Sequence, residues 1–418
     1  MKVLLVGSGG REHALAWKIA QSPRLESLLI APGNAGTAAL GENVPVKADD
    51  VDGLLALARS RDIDLTVIGP EVPLADGVVD TFRAAGLAIF GPTSAAARIE
   101  TSKGFAKDLM ARMGVPAAAS ETLDSHHLAR NAVSDCDLPV VIKADGLAAG
   151  KGVIIAETRQ QAVSVLFDIF ERNRFGDAGQ QVLVEEYLEG REVSVFAFVD
   201  GERVSSLVAA TDFKRAHDGD RGPNTGGMGS YSPPPIWDDE MAAEVTRDIF
   251  EPVVAGLAAD GSAYTGLLYA GLMVTAEGPK VLEFNCRFGD PETQVVLPRM
   301  RSDLLDALAQ TAAGDISALA LDWDGRPCVG VVMASGGYPN AYETGKPING
   351  LDAVPPGATV FHAGTDASNG ALLTAGGRVL SVSALGETVE AARATAYEGV
   401  AAITFEDAFN RTDIAAGI

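Results

Sequence analysis

The sequence predicts an α/β and α+β multidomain protein, on the strength of three observations. Over residues 1 to about 100, apolar runs alternate with amphipathic stretches, the strand–helix–strand rhythm of a parallel sheet covered by helices. From about residue 139 the rhythm gives way to β-rich runs separated by turns, which reads as an α+β region with antiparallel strands. At 418 residues the chain is too long for one compact core, so two to four domains are expected.

Taken in order, residues 2–6 form a short apolar strand and 12–20 a helix with Leu15 and Ile19 on one face. Strands follow at 28–31, 65–69 and 87–90, with helices at 52–60 and 74–85. A helix over 102–113 is ended by Gly114, Val115 and Pro116. Strands at 139–144 and 152–156 flank a glycine-rich loop, followed by a helix around 159–173 and a strand at 181–186. Runs at 193–199 and 203–210 flank Asp200 and Gly201, which tolerate positive φ, so a hairpin is expected there. After a polar, glycine-rich loop over about 216–230, Pro233, Pro234 and Pro235 introduce a helix around 239–259, then strands near 267–275 and 280–285. The last segment carries strands at 328–334 and 378–383 and a helix at 389–400.

Composition narrows the function. A formal net charge of −23 argues against nucleic-acid binding, which needs basic patches, although local basic sites for anionic substrates remain compatible with it. Cys136, Cys286 and Cys328 are too few and too scattered for a disulfide framework or a zinc site. The chain starts with a strand running into glycines rather than a targeting segment, and no apolar stretch is long enough to cross a membrane. A cytoplasmic protein is expected.

Five stretches carry chemistry. Gly7, Ser8, Gly9 and Gly10 stand at the first strand–helix junction, where the N–H groups of a helix start favour an anion. A dinucleotide fingerprint needs a third glycine at position 12, which is Glu12, and the second strand ends at Ala31 without an acid to hold a ribose. A substrate phosphate, with Arg11 beside it, suits this loop better than a nicotinamide cofactor; a plain tight turn is the bland alternative. The run KADGLAAGKG at 143–152 looks like a P-loop, but only three residues separate Gly146 from Gly150, Gly152 occupies the Ser/Thr position, and a strand follows. Such a strand–loop–strand can fold over a triphosphate while Lys143 and Lys151 neutralise its charge. Lys143 lies within an apolar strand, which favours this reading over two solvated lysines on a hairpin.

The apolar run 182–188 ends in acids and can offer backbone groups to an adenine edge, with Glu192 toward ribose; exposed acids at a strand end explain it equally well. In LEFNCRFGDPE at 282–292, alternation puts Glu283 and Asn285 on one strand face, a carboxylate and an amide oxygen suited to Mg²⁺. Arg287 shares that face and suits an anion. Asp212-Phe213-Lys214-Arg215 precedes GPNTGGMG at 222–229, whose four glycines mean either close backbone approach or a mobile loop.

Together these stretches resemble the ATP-grasp superfamily and, within it, the glycinamide ribonucleotide synthetase family. The resemblance is carried by GSGGREHAL (7–15), APGNAG (31–36), GPEVPL (69–74), KADGLAAGKG (143–152), GPNTGGMGSY (222–231), YTGLLYAGLM (264–273) and EFNCRFGDPETQ (283–294). It implies an ATP-grasp fold with an N-terminal parallel α/β (pre-ATP-grasp) domain at 1–101, an ATP-grasp domain at 102–325 with a mobile lid over about 117–190, and a small β-rich C-terminal domain at 326–418. It implies ATP-dependent ligation of glycine to 5-phosphoribosylamine through glycyl phosphate, in purine biosynthesis, by a monomer or weak homodimer without nucleic-acid or membrane partners.

By the same resemblance, Lys103 and Lys143 would contact phosphates together with Gly150, Lys151 and Gly152. Glu185, Glu186 and Leu188 would lie at the adenine and Glu192 at the ribose. Glu283 and Asn285 would hold Mg²⁺ or Mn²⁺. Arg287, Asp212 and Lys214 would serve the amino-acid and phosphoribosyl sites, and Gly9, Gly10 and Arg11 the sugar phosphate. Two positions depart from the pattern: Gly271 stands where many ATP-grasp enzymes carry a second acidic metal ligand, and Phe213 where this family has histidine. Another ATP-grasp carboxylate–amine ligase or a ribonucleotide carboxylase would share the nucleotide site but not GPNTGGMG. A nicotinamide-dependent oxidoreductase is disfavoured by Glu12 and Ala31, and a non-catalytic nucleotide-binding regulator by the intact lysines with Glu283 and Asn285.

Overall fold

The computed structural model describes residues 1–148, 152–368 and 370–418. Two expected nucleotide contacts, Gly150 and Lys151, lie outside the described residues.

The N-terminal region is a five-stranded parallel sheet, β1 (Lys2–Gly7), β2 (Ser27–Pro32), β3 (Glu42–Asn43), β4 (Leu65–Ile68) and β5 (Ile89–Phe90), in the order β3-β2-β1-β4-β5. Val3, Leu4, Leu5 and Val6 are all inaccessible, as a continuous apolar run must be when both sheet faces are covered. Helices α1 (Gly10–Ile19) and α2 (Val51–Ser60) match the expected positions. The single helix expected at 74–85 is instead two, α3 (Glu71–Ala75) and α4 (Val78–Ala84), broken by Gly77 at φ +80°, a left-handed backbone that cannot continue a right-handed helix. Helix α5 (Ser94–Thr101) leads directly into α6 (Lys103–Met113), capped by the Ser102 hydroxyl.

A second unit has its own core. Strands β6 (Ser120–Leu123), β7 (Val140–Ala144), β8 (Val153–Ala156) and β9 (Val182–Glu186) pair antiparallel in the order β6-β9-β7-β8. Helices α7 (His126–Asp135) and α8 (Arg159–Phe170) cover them, and Leu123, Ala129, Ile142, Leu166 and Val184 fill the space between. This apolar cluster is separate from that of the neighbouring sheets.

The remaining main strands are β10 (Arg191–Asp200), β11 (Val208–Asp212), β12 (Arg215–His217), β13 (Arg221–Asn224), β14 (Gly229–Ser232), β15 (Thr265–Thr275), β16 (Gly278–Asn285), β17 (Cys328–Ala334), β18 (Ala358–His362), β19 (Thr365–Ser368), β20 (Ala371–Thr374) and β21 (Arg378–Leu385). Eight of them make one sheet, β16-β15-β10-β11-β14-β17-β21-β18. Pairing of Tyr231 in β14 with Val329 in β17 carries this sheet across the boundary expected near 325. The hairpin expected at Asp200-Gly201 is a tight turn: Val199 pairs antiparallel with Val204, the Ser205 N–H donates to the Phe198 carbonyl, and the Asp200 carboxylate accepts from the N–H groups of Glu202, Arg203 and Ile316. The helix expected at 239–259 comprises α9 (Asp239–Val245), a π-helical turn (Thr246–Phe250) and α10 (Glu251–Ala259); Pro252, which has no N–H to donate backwards, lies just beyond the irregularity. Short α11 (Thr293–Val296), α12 (Leu304–Ala312) and α13 (Val389–Ala402) complete the fold. No helix among the described residues is long and apolar enough to cross a membrane.

Candidate active site

A cleft of about 1050 Å³ opens between the β6–β9 sheet and one face of the eight-stranded sheet. That exceeds the ~300–1,000 Å³ of sites for one drug-sized molecule, so it has room for more than one substrate. Its floor follows from strand register. Glu283 on β16 faces Gly271 on β15, which faces Ser194 on β10, which faces Ala210 on β11. Asn285 and Tyr269 form the next row, while Glu192 and Asp212, two residues along their strands, share the same face.

Glu283 and Asn285 thus project side by side into the cleft, and neither side chain makes a hydrogen bond or ion pair with a described residue. Burial raises the Glu283 pKa, but Lys214, Lys143, Lys103 and Arg287 together outweigh it and hold the carboxylate below its usual range. Two open oxygens suit Mg²⁺ or Mn²⁺, which take one or two protein ligands and fill the rest with phosphate and water. Among the described residues there is no group of three or more His, Cys, Asp or Glu that could hold a metal by itself.

Lys143 reaches this strand from the other sheet. Its Nζ donates to the Leu282 carbonyl at 2.9 Å and pairs with Glu185 Oε2 at 2.8 Å. Lys107 pairs with the same oxygen at 3.4 Å. Glu185, expected at the adenine, lines the cleft; its carboxylate is the buried counter-ion of two lysines, and its backbone is paired with Ser120 and Val141 on either side. Lys103, at the start of α6, donates to the carbonyls of Asp145 (3.3 Å) and Gly146 (3.0 Å). Burial, with Lys143 nearby, lowers its pKa against the pull of Glu283 and Asp145. Glu186, Leu188 and Glu192 line the cleft as well. Gly152 begins the returning strand side of the loop, where a Cβ would meet that of Ala148 at 2.8 Å.

Lys214 is ion-paired to Glu192. Asp212 is pushed up to about 7, first by burial and then by the carboxylates of Glu292, Glu192 and Glu283, against the opposing charge of Lys214. Arg287 lines the cleft, but its guanidinium is turned toward Glu71 (3.2 Å) and Glu100 (3.5 Å). Burial opposes its charge; Glu100 and Glu71 more than restore it. Glu100 also accepts from the Cys286 N–H (2.7 Å) and thiol (2.8 Å), clamping the end of β16 onto α5.

At the first-strand glycine loop a side chain of the same helix occupies the helix start. The Glu12 carboxylate, 2% exposed, fills the start of α1: Oε2 accepts from the Gly9 N–H at 2.6 Å, and Oε1 pairs with Arg11 Nε at 2.6 Å. A Cβ at Gly7 or Gly69 would fall 2.5 or 2.2 Å from Glu12 atoms, so these glycines make room for that carboxylate. Arg11 is buried and also donates to the Phe288 carbonyl. Gly10 packs against Gln294.

Sequence reasoning passed over three side chains that build the cleft. Glu292 lines it from the start of α11. Arg378 on β21 donates to the carbonyls of Gly226, Gly227 and Asp290, so the glycines of GPNTGGMG accommodate this arginine and Pro291. Arg411, 2% exposed, binds Asp413, Asp220 and the Arg215 carbonyl and lies 5.0 Å from the Phe213 ring centre. Phe213 is therefore a packing partner of the C-terminal segment. Glu292 sat inside a recognised motif; Arg378 and Arg411 had no local signal.

The chain matches phosphoribosylglycinamide synthetase in three parts: its N domain over residues 1–100, its ATP-grasp (A) domain over 101–293 and its C domain over 328–417. It is 53% identical to a phosphoribosylamine–glycine ligase of Xylella fastidiosa over 99% of this chain and 96% of that one. A relative of the same name from Escherichia coli is 51% identical over 99% and 98%. A crystal structure of phosphoribosylamine–glycine ligase from Thermotoga maritima superimposes with a TM-score of 0.87 at 34% identity, covering 99% of this chain and 100% of that one. The biotin carboxylase domain of Hydrogenobacter thermophilus 2-oxoglutarate carboxylase shares the fold, with a TM-score of 0.73 at 15% identity over 98% and 91%.

Proposed function

This chain belongs to the phosphoribosylglycinamide synthetase family, and from that premise we propose that the cleft facing Glu283 and Asn285 is its active site. The reaction is the ATP-dependent ligation of glycine to 5-phosphoribosylamine, a step of purine biosynthesis. The observation that supports this location is the pair of open oxygens on β16, met from the opposite wall by Lys143 at Leu282.

In this reading Lys103 and Lys143, with the 145–152 loop, hold and neutralise the ATP phosphates, while Glu186 and Leu188 flank the adenine and Glu192 the ribose. Glu283 and Asn285 would hold Mg²⁺ or Mn²⁺. When bound, the ion neutralises charge on the transferred phosphoryl group. A glycine carboxylate oxygen attacks the γ-phosphorus and ADP leaves, giving glycyl phosphate. The amine of phosphoribosylamine then attacks the carbonyl carbon and phosphate leaves. The proton lost by that amine goes to the Asp212 carboxylate, whose pKa of about 7 suits a general base, with Lys214 beside it. The β6–β9 unit, over about 117–190, closes on the cleft and excludes water from the acyl phosphate. Arg287, held in place by Glu71 and Glu100, serves the anionic substrates. The sugar phosphate lies near Gly9, Gly10 and Arg11. We take the enzyme to work in the cytoplasm as a monomer or weak homodimer of three domains, 1–101, 102–325 and 326–418.

The test is ADP release with phosphoribosylamine generated in situ. ADP formation should require glycine; equal release without glycine, or release only with bicarbonate, would sink the reading.

A further inference from the structure

We propose that Glu292 anchors the α-ammonium group of glycine, and this rests on the ligase reading of the cleft above. Glu292 is 3% exposed and yet lines the cleft. Its Oε1 accepts from the Tyr269 hydroxyl at 3.0 Å and the Ser194 hydroxyl at 3.0 Å, and these two hydroxyls lie 2.8 Å apart. Tyr269 is pushed well above its usual range by burial and by Glu292, so its hydroxyl remains a donor. Oε2 has no hydrogen-bond partner and Glu292 no lysine, arginine or histidine within 4.0 Å among the described residues. Oε2 lies against Gly289 and the residue lines the cleft; a carboxylate this buried with no cation in contact is costly.

The carboxylate lies over the floor where side chains are smallest. Ser194 faces Gly271, which faces Glu283, and the Tyr269 ring lies beside the space above Gly271. A Cβ at Gly271 would meet Glu283 Cγ at 3.3 Å and fill part of that space. The acid absent from β15 is thus replaced by one arriving from α11. With Oε1 already taken by two hydroxyl donors, Glu292 has one oxygen left to offer a cation. The cation that suits it is an ammonium.

Two substrates carry an amine, and the chemistry chooses between them. The phosphoribosylamine nitrogen must be neutral to attack, and a bare carboxylate beside it would favour its protonated, unreactive form. Glycine's ammonium takes part in neither bond-making step and stays charged throughout. Fixing it at Glu292 would aim the glycine carboxylate across Gly271 toward Glu283 and Asn285.

Glu292→Gln keeps the shape and the hydroxyl contacts but removes the charge. The expected result is a rise of about 30-fold or more in KM for glycine. KM for ATP and for phosphoribosylamine should stay within about threefold, and glycine's advantage over glycolate as the ADP-releasing acid should shrink by a similar factor. Glu292→Asp should recover part of the loss. An unchanged glycine KM, an effect confined to phosphoribosylamine, or an equal rise for all three substrates would overturn the proposal. If Glu292→Gln does not fold, Tyr269→Phe serves instead: a several-fold rise in glycine KM alone supports the anchor, and no rise refutes it. The ligase reading is checked separately by glycine-dependent ADP release from the unaltered enzyme.

Discussion

Two polar centres on this chain look alike in sequence and differ in what they leave open. At the start of α1, Glu12, Arg11 and the Gly9 amide satisfy one another within 2.6 Å contacts, and glycines at 7 and 69 let them close up. On β16, Glu283 and Asn285 point into a large cleft with no partner among the described residues, surrounded by lysines. The difference teaches that charge and glycine content mark where polar groups gather, while unfilled hydrogen-bonding capacity marks where a ligand goes. A self-satisfied cluster stabilises the fold; an open one is held in readiness by the rest of the structure.

Three experiments break or sharpen that contrast. The largest effect is expected from Glu283→Gln, which should lower metal-dependent turnover by about 10²–10³-fold while the fold, followed by circular dichroism, is retained. Undiminished turnover would mean the open pair on β16 is not the metal site. Glu12→Gln should show the reverse profile: a stability loss of about 1–3 kcal/mol in urea unfolding, from two weakened buried contacts, with turnover little changed. A large loss of activity at unchanged stability would show that the Glu12 carboxylate itself, and not only its neighbours Gly9, Gly10 and Arg11, serves substrate.

The smallest effect concerns Asp212, which belongs to the open centre. Its pKa rises from an ordinary 3.8 to about 7 on folding, so between those values the native state keeps a proton that the unfolded chain has released. Stability should therefore fall as pH rises through that window, and the loss is complete above about 7. Turnover should climb toward the same pH, because only the ionised carboxylate accepts a proton. Lys214, Glu292, Glu192 and Glu283 all act on this group, so the window is that of the cluster. In Asp212→Asn the melting temperature should vary less with pH, by a few degrees, and the rate profile should lose its rise near 7. A variant with the parent's pH dependence in both measurements would assign the titration elsewhere.

Much of this was legible in the chain. Continuous apolar runs gave the parallel sheet, because strands buried on both faces have no polar side to show. Alternation placed Glu283 and Asn285 together, since successive residues of a strand point to opposite faces. The break at Gly77 and the π-turn before Pro252 were less legible, as they depend on single residues inside otherwise regular patterns. Short strands such as β3, β12 and β13 carry too few residues to show a period.

By itself, then, the sequence determined the alternation of elements, the family and the types of group at the site, all of which follow from local periodicity or from contiguous motifs. Only the tertiary structure decided partners. Glu185 meets Lys107 and Lys143, Arg287 meets Glu71 and Glu100, Phe213 meets Arg411, and β14 meets β17, each across a long stretch of chain. Which charge is neutralised and which stays open depends on distances in space. No local pattern encodes those, and so Glu12, ion-paired to Arg11, and Glu292, held only by two hydroxyls among the described residues, could be told apart only once the chain had folded.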